Sequence, residues 1–418
     1  FPLMQWSIAM VEKVTGEHII VMRLMVYLIS LLTLFAVFKL ALTLTDNKDI
    51  SAIAVWIFAF MPTFFYNSTS IMPDVLALCF GMFYVLYFFK HLKSNKRSDL
   101  FYAALFIALA GLAKLPFILL GILSFIRAVE LMFKSQPNRW QEVFRYASVK
   151  AIALLPVMAW YAMVIPEWKD NNITDGFITN FVGWPLFKEF LKNQIYVNFP
   201  TEILNIPALL LFFAGVFFIL KTRKVFLARP MYFFIPLLIL FMYFFYILNV
   251  IREGHEYYLM PFYPILMLPI IGTVYQAWQG KMVAKIIVGM LLLAIPFVCW
   301  NQEKDYWDVK YAYFNQDFFN CREELEKIGT QDDKAVFIND ESLAILPYIA
   351  DKSGYIFWNN HLPVLWLKDM FDSQGARYLY SDSRIIEEQE GFSECVSEIV
   401  FECGTLKVYK LKGGEETK

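Results

Sequence analysis

Charge is scarce in this chain. Only 18% of its 418 residues are Asp, Glu, Lys or Arg, whereas 58% are hydrophobic and 18% aromatic. That apolar share exceeds what a soluble domain carries and makes lipid the main solvent of the chain. The Lys and Arg residues stand in short separated clusters and form no single basic face, which excludes nucleic acid as a partner. Cysteine is equally sparse: Cys79, Cys299, Cys321, Cys395 and Cys403 make no C-x-x-C pair, and no His stands at metal-ligand spacing, so no zinc site is read. A Met followed by a basic, apolar and small-residue leader is missing as well. The chain opens on Phe1-Pro2-Leu3, and the expectation is that a further segment precedes it.

What the chain has in abundance is long apolar runs. They lie near 19–43, 51–66, 73–91, 101–113, 115–133, 147–165, 204–221, 230–250, 257–278 and 283–300, and predict about ten membrane spans. Four basic clusters separate them: Lys90 to Arg97, Lys134 to Lys150, Lys221 to Arg229, and Lys281 with Lys285. The positive-inside rule assigns these loops to the cytoplasm. An even number of spans must separate loops on one side, so 101–133 has to be a helical hairpin turning near Lys114-Leu115-Pro116. Residues 1–18, 67–73, 166–203, 251–256 and everything after 300 then fall outside. Pro2 to Gly16 reads as a juxtamembrane helix along the interface, and a second interfacial helix is expected near 185–195.

The composition divides the chain into a transmembrane domain, 1–300, and an extracytoplasmic domain, 301–418. In the latter, apolar strands at 335–338, 355–358 and 377–380 alternate with helical stretches near 317–328, 341–350 and 362–373. This alternation predicts a small α/β fold with a mainly parallel sheet. Strands near 396–402 and 405–411, separated by Gly404, would close it as an antiparallel hairpin. Cys395 and Cys403 either pair there or remain free in the core. The tail has no G-x-G-x-x-G and no Walker sequence, which argues against a nucleotide site.

Charges at the mouths of membrane helices need a reason. Arg23, Asp74, Lys114, Arg252, His255 and Glu256 all fall on the outer side in this topology. Together they suit a phosphate-bearing lipid head, with cations to neutralise phosphate and a carboxylate to orient or deprotonate a hydroxyl. Structural readings stand beside each one. Arg23 could anchor its helix, Asp74 could serve as a first-turn acid, Lys114 as a turn residue, and His255 with Glu256 as interfacial polar groups.

Four segments carry a resemblance to a known family. They are Phe1-Pro2-Leu3-Met4-Gln5-Trp6 followed by Gly16 and Arg23-Leu24, Tyr66 to Asp74, Leu109 to Pro116, and Gly254 to Pro261. In residues and order these resemble the polytopic glycosyltransferases of the C-type fold, the family that includes protein O-mannosyltransferases and bacterial lipid A aminoarabinose transferases. The resemblance covers roughly residues 1–300 plus the habit of a small soluble tail. It implies an α-helical polytopic membrane protein of the cell membrane. Its expected activity is inverting transfer of a sugar from a polyprenyl-phosphate donor to an acceptor lipid, glycan or protein at the outer face. Asp74 matches a supporting acidic position, the principal acid being expected upstream of Phe1. Lys114, Arg252 and Arg23 are expected at the donor phosphate, with His255, Glu256 and Tyr257 as substrate-binding or supporting groups. No cofactor is required; a divalent metal is left open, without ligands assigned. Two rivals remain, a transporter or flippase and a non-catalytic subunit of a glycan-assembly complex. No internal repeat favours the first.

Overall fold

The computed structural model describes residues 2–16, 18–133, 138–167, 183–222, 230–251, 255–308, 315–340, 345–357, 362–382 and 385–412. It comprises two compact units, Phe1–Glu303 and Lys304–Lys418.

The described part of the first unit is helical. Helix α1 (Pro2–Thr15) has proline at its first position, where the missing N–H costs nothing. Helix α2 (Ile19–Thr45) runs 27 residues, about 40 Å. Asn47 then caps α3 (Lys48–Ala59), its Oδ1 accepting from the backbone N–H groups of Asp49 and Ile50 at 2.8 and 3.0 Å. The run 51–66 does not form one span. Pro62 has no N–H to continue α3, and it opens a separate helix α4 (Pro62–Asn67). Helices α5 (Pro73–Ser94) and α6 (Arg97–Ala113) follow, joined through Asn95 in the left-handed conformation.

Lys114 interrupts the helix with extended backbone, and a 3-10 segment, Leu115–Gly121, leads into α7 (Ile122–Met132). A Cβ on Gly121 would stand 3.8 Å from Cγ1 of Ile107. These residues lie seven positions either side of Lys114, so the chain has doubled back there. Beyond α8 (Arg139–Val164) come α9 (Trp184–Asn193), where the second interfacial helix is expected, a π-helical stretch Gln194–Ile203, and α10 (Ile206–Thr222). The chain bends by 105° between that stretch and α10. Helices α11 (Met231–Tyr246) and α12 (Leu248–Ile251), a 3-10 turn Glu256–Phe262, α13 (Tyr263–Gln279) and α14 (Met282–Glu303) complete the unit.

Among the described residues six helical stretches are long and apolar enough to cross a bilayer, or seven if the bent pair counts as one. The sequence reading expects about ten. The difference lies in length: α3, α6 and α11 have 12, 17 and 16 residues. At 1.5 Å per residue they reach only about 18 to 26 Å against a hydrocarbon core of roughly 30 Å. Helices α5 and α13 are buried on nearly every side, whereas α14 turns Ile286, Met290, Leu293 and Phe297 outward, as a lipid-facing helix does. Helices α10 and α13 approach closely at Gly215, where any Cβ would overlap the Pro269 carbonyl.

The second unit is a five-stranded mixed sheet in the order β2-β1-β3-β5-β4, from β1 (Lys334–Ile338), β2 (Gly354–Phe357), β3 (Ala376–Ser381), β4 (Val396–Cys403) and β5 (Leu406–Leu411). The first three strands are parallel and the last two form an antiparallel hairpin. Alternation along β1 feeds two cores: Ala335 and Phe337 join Phe318, Leu346 and Tyr380 on one face, and Val336 and Ile338 join Leu367, Phe371 and Leu379 on the other. Helices α15 (Gln316–Asn320), α16 (Arg322–Leu325) and α17 (Ile345–Ala350) supply the first face and α18 (Val364–Asp372) the second. A short α19 (Phe392–Cys395) leads into β4.

The hairpin turns at Gly404 with φ of 60°, a conformation that a two-residue loop demands and glycine adopts without strain. Asp317 holds that turn, its Oδ2 accepting from the backbone N–H of Thr405 at 2.8 Å. Cys403 pairs with Cys321, while Cys395 is buried and free. The Cys395–Cys403 alternative fails on geometry. Cys395 directly precedes β4 and Cys403 ends it, so an eight-residue strand holds them roughly 26 Å apart.

Candidate functional site

The first turn of α5 and the end of α6 meet because the two helices are antiparallel neighbours. Pro73 opens α5, which places Asp74 in its first turn, and Lys114 occupies the capping position after α6. The Lys114 ammonium donates to both carboxylate oxygens of Asp74, each at 2.7 Å. The two side chains are 4% and 1% exposed, so the pair is sealed from water. Removing two charges from solvent costs several kcal/mol each on the order-of-magnitude scale, and only close pairing with further contacts offsets it.

Those contacts come from the 3-10 turn Glu256–Phe262. The Lys114 Nζ lies 3.8 Å from the centroid of the Tyr258 ring and 4.9 Å from that of Tyr257, so two aromatic faces cover the ammonium. Tyr243 of α11 donates its hydroxyl to the Tyr258 carbonyl at 3.3 Å and fastens the turn. The Tyr257 hydroxyl stands 3.1 Å from Nδ1 of exposed His255. Gln194, in the π-helical stretch, donates to the carbonyl of Ile251 at 3.2 Å and holds the end of α12 just before this turn. The arrangement is layered, with an ion pair at the floor, tyrosine rings above it, and a His-Tyr polar edge outermost. The pair is neutral overall, so what can meet an anionic oxygen is the ammonium's edge under the tyrosines together with the donors of the outer edge.

The structure thus brings Asp74, Lys114 and Tyr257 together, with His255 and half-buried Glu256 on the same segment. Arg23 projects as an exposed side chain from the start of α2, and no hydrogen bond or ion pair joins it to this group among the described residues. Arg252 lies outside the described residues. Sequence reasoning includes Tyr258 in the segment Gly254 to Pro261 but assigns it no role, although its ring is the nearer of the two to the ammonium. It misses Glu303, at the end of α14, which is 1% exposed and has an Oε1 with no hydrogen-bond partner among the described residues. A carboxylate just beyond the apolar run 283–300 reads in sequence as a solvated boundary residue. Among the described residues no three His, Cys, Asp or Glu side chains converge as metal ligands.

Residues 2–162, which span α1 to α8 and include both Asp74 and Lys114, match the family model described as dolichyl-phosphate-mannose-protein mannosyltransferase. The structure is similar to the crystal structure of ArnT from Cupriavidus metallidurans in the apo state, with a TM-score of 0.59 at 11% identity, covering 98% of this chain and 87% of that one. It is also similar to the arabinofuranosyltransferase AftD from Mycobacteria, with a TM-score of 0.55 at 12% identity, covering 95% of this chain and 34% of that one. At such identities the likeness is one of fold. No curated protein sequence matches the chain.

Proposed function

We propose that the chain is a PMT/ArnT-like glycosyltransferase of the GT-C fold, and that it moves a sugar from a polyprenyl-phosphate carrier to an acceptor lipid, glycan or protein at the outer membrane face. The observation that carries the reading is the sealed Asp74–Lys114 pair beneath Tyr257 and Tyr258.

In the proposed reaction an acceptor hydroxyl attacks the anomeric carbon from the face opposite the phosphate. The bond between that carbon and the phosphate oxygen breaks, the configuration inverts, and the carrier leaves as a phosphate. The leaving group gains negative charge, so a fixed cation close to it lowers the barrier. Asp74 keeps Lys114 ionised and pointed at the turn, while the Tyr257 hydroxyl and His255 face outward where a phosphate could meet them. Arg252 and Arg23 are assigned supporting contacts with the donor phosphate, and Glu256 a supporting contact with the acceptor. With both its oxygens on Lys114, Asp74 acts here as a positioning acid. The group that takes the hydroxyl proton is not assigned.

The test uses membranes holding the protein and a polyprenyl-phosphate sugar radiolabelled in the sugar. Transfer of label off the carrier should fall about tenfold or more in Asp74→Asn and in Lys114→Met, with membrane insertion unchanged. Full activity in both variants would remove these residues from the site. Label that crosses the membrane still attached to its carrier would instead favour a flippase.

A further inference from the structure

A second polar cluster lies at the other end of α5. His91 is 17 positions after Asp74, about 25 Å further along the helix axis, so this cluster and the Asp74–Lys114 pair stand near opposite surfaces of the bilayer. The charge rule assigns this end to the cytoplasm. A small cleft opens here among α5, α6, α7 and α8, and His91, Arg97, Arg127, Glu142, Arg145 and Tyr146 line it.

Its donors are arranged in depth. Arg97 and Arg145 are exposed at the mouth, and neither forms an ion pair among the described residues. Arg127 is mostly buried. One guanidinium nitrogen donates to Glu130 at 2.8 Å, and Glu130 also accepts from the Tyr232 hydroxyl, but Nε of Arg127 has no partner among the described residues. Tyr146 is 3% exposed, and its hydroxyl lies towards that of Ser124, which also bonds Tyr84 at 2.7 Å. One helical turn beyond Tyr146, Lys150 is also buried. Its Nζ sits 4.9 Å from the Tyr84 ring centroid, outside the residues that line the cleft, and has no hydrogen-bond partner among the described residues.

Each buried donor left unmade costs roughly 1–3 kcal/mol, more when charged. The unfilled Nε of Arg127 in the lining, with Arg97 and Arg145 exposed at the mouth, describes a site that lacks its acceptor. The acceptor has to be anionic, because Arg127, Arg97 and Arg145 are cations and Glu130 leaves the Nε of Arg127 unfilled. It also has to present several oxygens at diverging angles. A carboxylate offers two in one plane, whereas a phosphate offers three or four on a tetrahedron. We propose that this cleft binds a phosphate group, carried by an anionic phospholipid headgroup or free in solution. A basic pocket between membrane helices suits either source. The site is separate from the proposed transfer site and does not rest on that reading.

The experiment is native mass spectrometry of the delipidated full chain with dioleoyl phosphatidylglycerol, dioleoyl phosphatidylcholine or inorganic phosphate added. The expected result is retention of phosphatidylglycerol or of inorganic phosphate, reduced about fivefold or more in the Arg97→Gln/Arg145→Gln double variant, whose exposed positions spare the fold. Arg127→Gln, which removes the buried cation of the lining, should reduce it about tenfold. Displacement of the lipid by millimolar phosphate would identify the phosphate group alone as ligand, and resistance to displacement a lipid headgroup. Equal retention of the two lipids with no bound phosphate, or retention unchanged in both variants, would overturn the proposal.

Discussion

Asp74 and Lys114 are separated by 40 positions and joined by two hydrogen bonds of 2.7 Å in a site closed to water. Breaking such a pair from one side leaves the other charge stranded. Asp74→Asn or Lys114→Met alone should therefore lower stability by about 3–5 kcal/mol, and the double variant should recover part of that loss because no lone charge remains. Thermal unfolding in detergent, followed by intrinsic fluorescence, separates the cases. A double variant no better than the worse single would mean that the two side chains do not act as a pair. Activity should stay low in all three, since neutral groups repair the fold and not the field. Both residues were legible in the sequence as charges at the ends of apolar runs. Their pairing was not, because it depends on how α5 and α6 align, and the capping tyrosines depend on a turn 143 positions beyond Lys114 (257 − 114). Arg23 was singled out by the same logic as Lys114, yet it stays exposed; a charge near a membrane boundary shows its depth and not its neighbour.

At the scale of elements, the crossing of α10 and α13 is set by one missing side chain. Gly215 meets the Pro269 carbonyl so closely that a methyl group cannot be inserted without moving the helices apart. Gly215→Ala should cost about 1–3 kcal/mol and lower the detergent midpoint, while Gly289→Ala in α14, where an added Cβ meets no atom within 4 Å, should leave it unchanged. Equal effects from the two would show that the loss reflects membrane-helix glycine in general. Hydropathy locates the helices but does not measure them. It registers apolar residues but not the unbroken length between prolines and turns, so α3 with its stop before Pro62, and the short α6 and α11, read as crossings in sequence while being shorter than a full span in the structure. The soluble strands were legible for the opposite reason. In β1 every residue from Ala335 to Ile338 is buried, as a strand covered on both faces requires, and the flanking helical stretches mark the parallel crossovers.

For the molecule as a whole, the Cys321–Cys403 link closes a loop across 82 positions, which by chain entropy is worth about 4–5 kcal/mol to the unit that contains it. Digestion of the full-length protein without reductant should release the peptides bearing Cys321 and Cys403 as one species, with Cys395 alkylated only after unfolding. A Cys395–Cys403 species, or complete alkylation of all three before unfolding, would contradict the pairing. Which cysteine met Cys403 was beyond the sequence because the answer lies in where α15 and α16 return to the hairpin turn, a three-dimensional fact without a local pattern. The Asp74–Lys114 pair also constrains how the protein is made. A ribosome adding roughly 5–20 residues per second delivers Lys114 about 2 to 8 s after Asp74, and through that interval the carboxylate has no counter-charge. The biosynthetic consequence is that α5 cannot settle alone at its final depth. It has to wait at the membrane boundary and enter together with α6, so the smallest unit of insertion for this part of the chain is the helical pair.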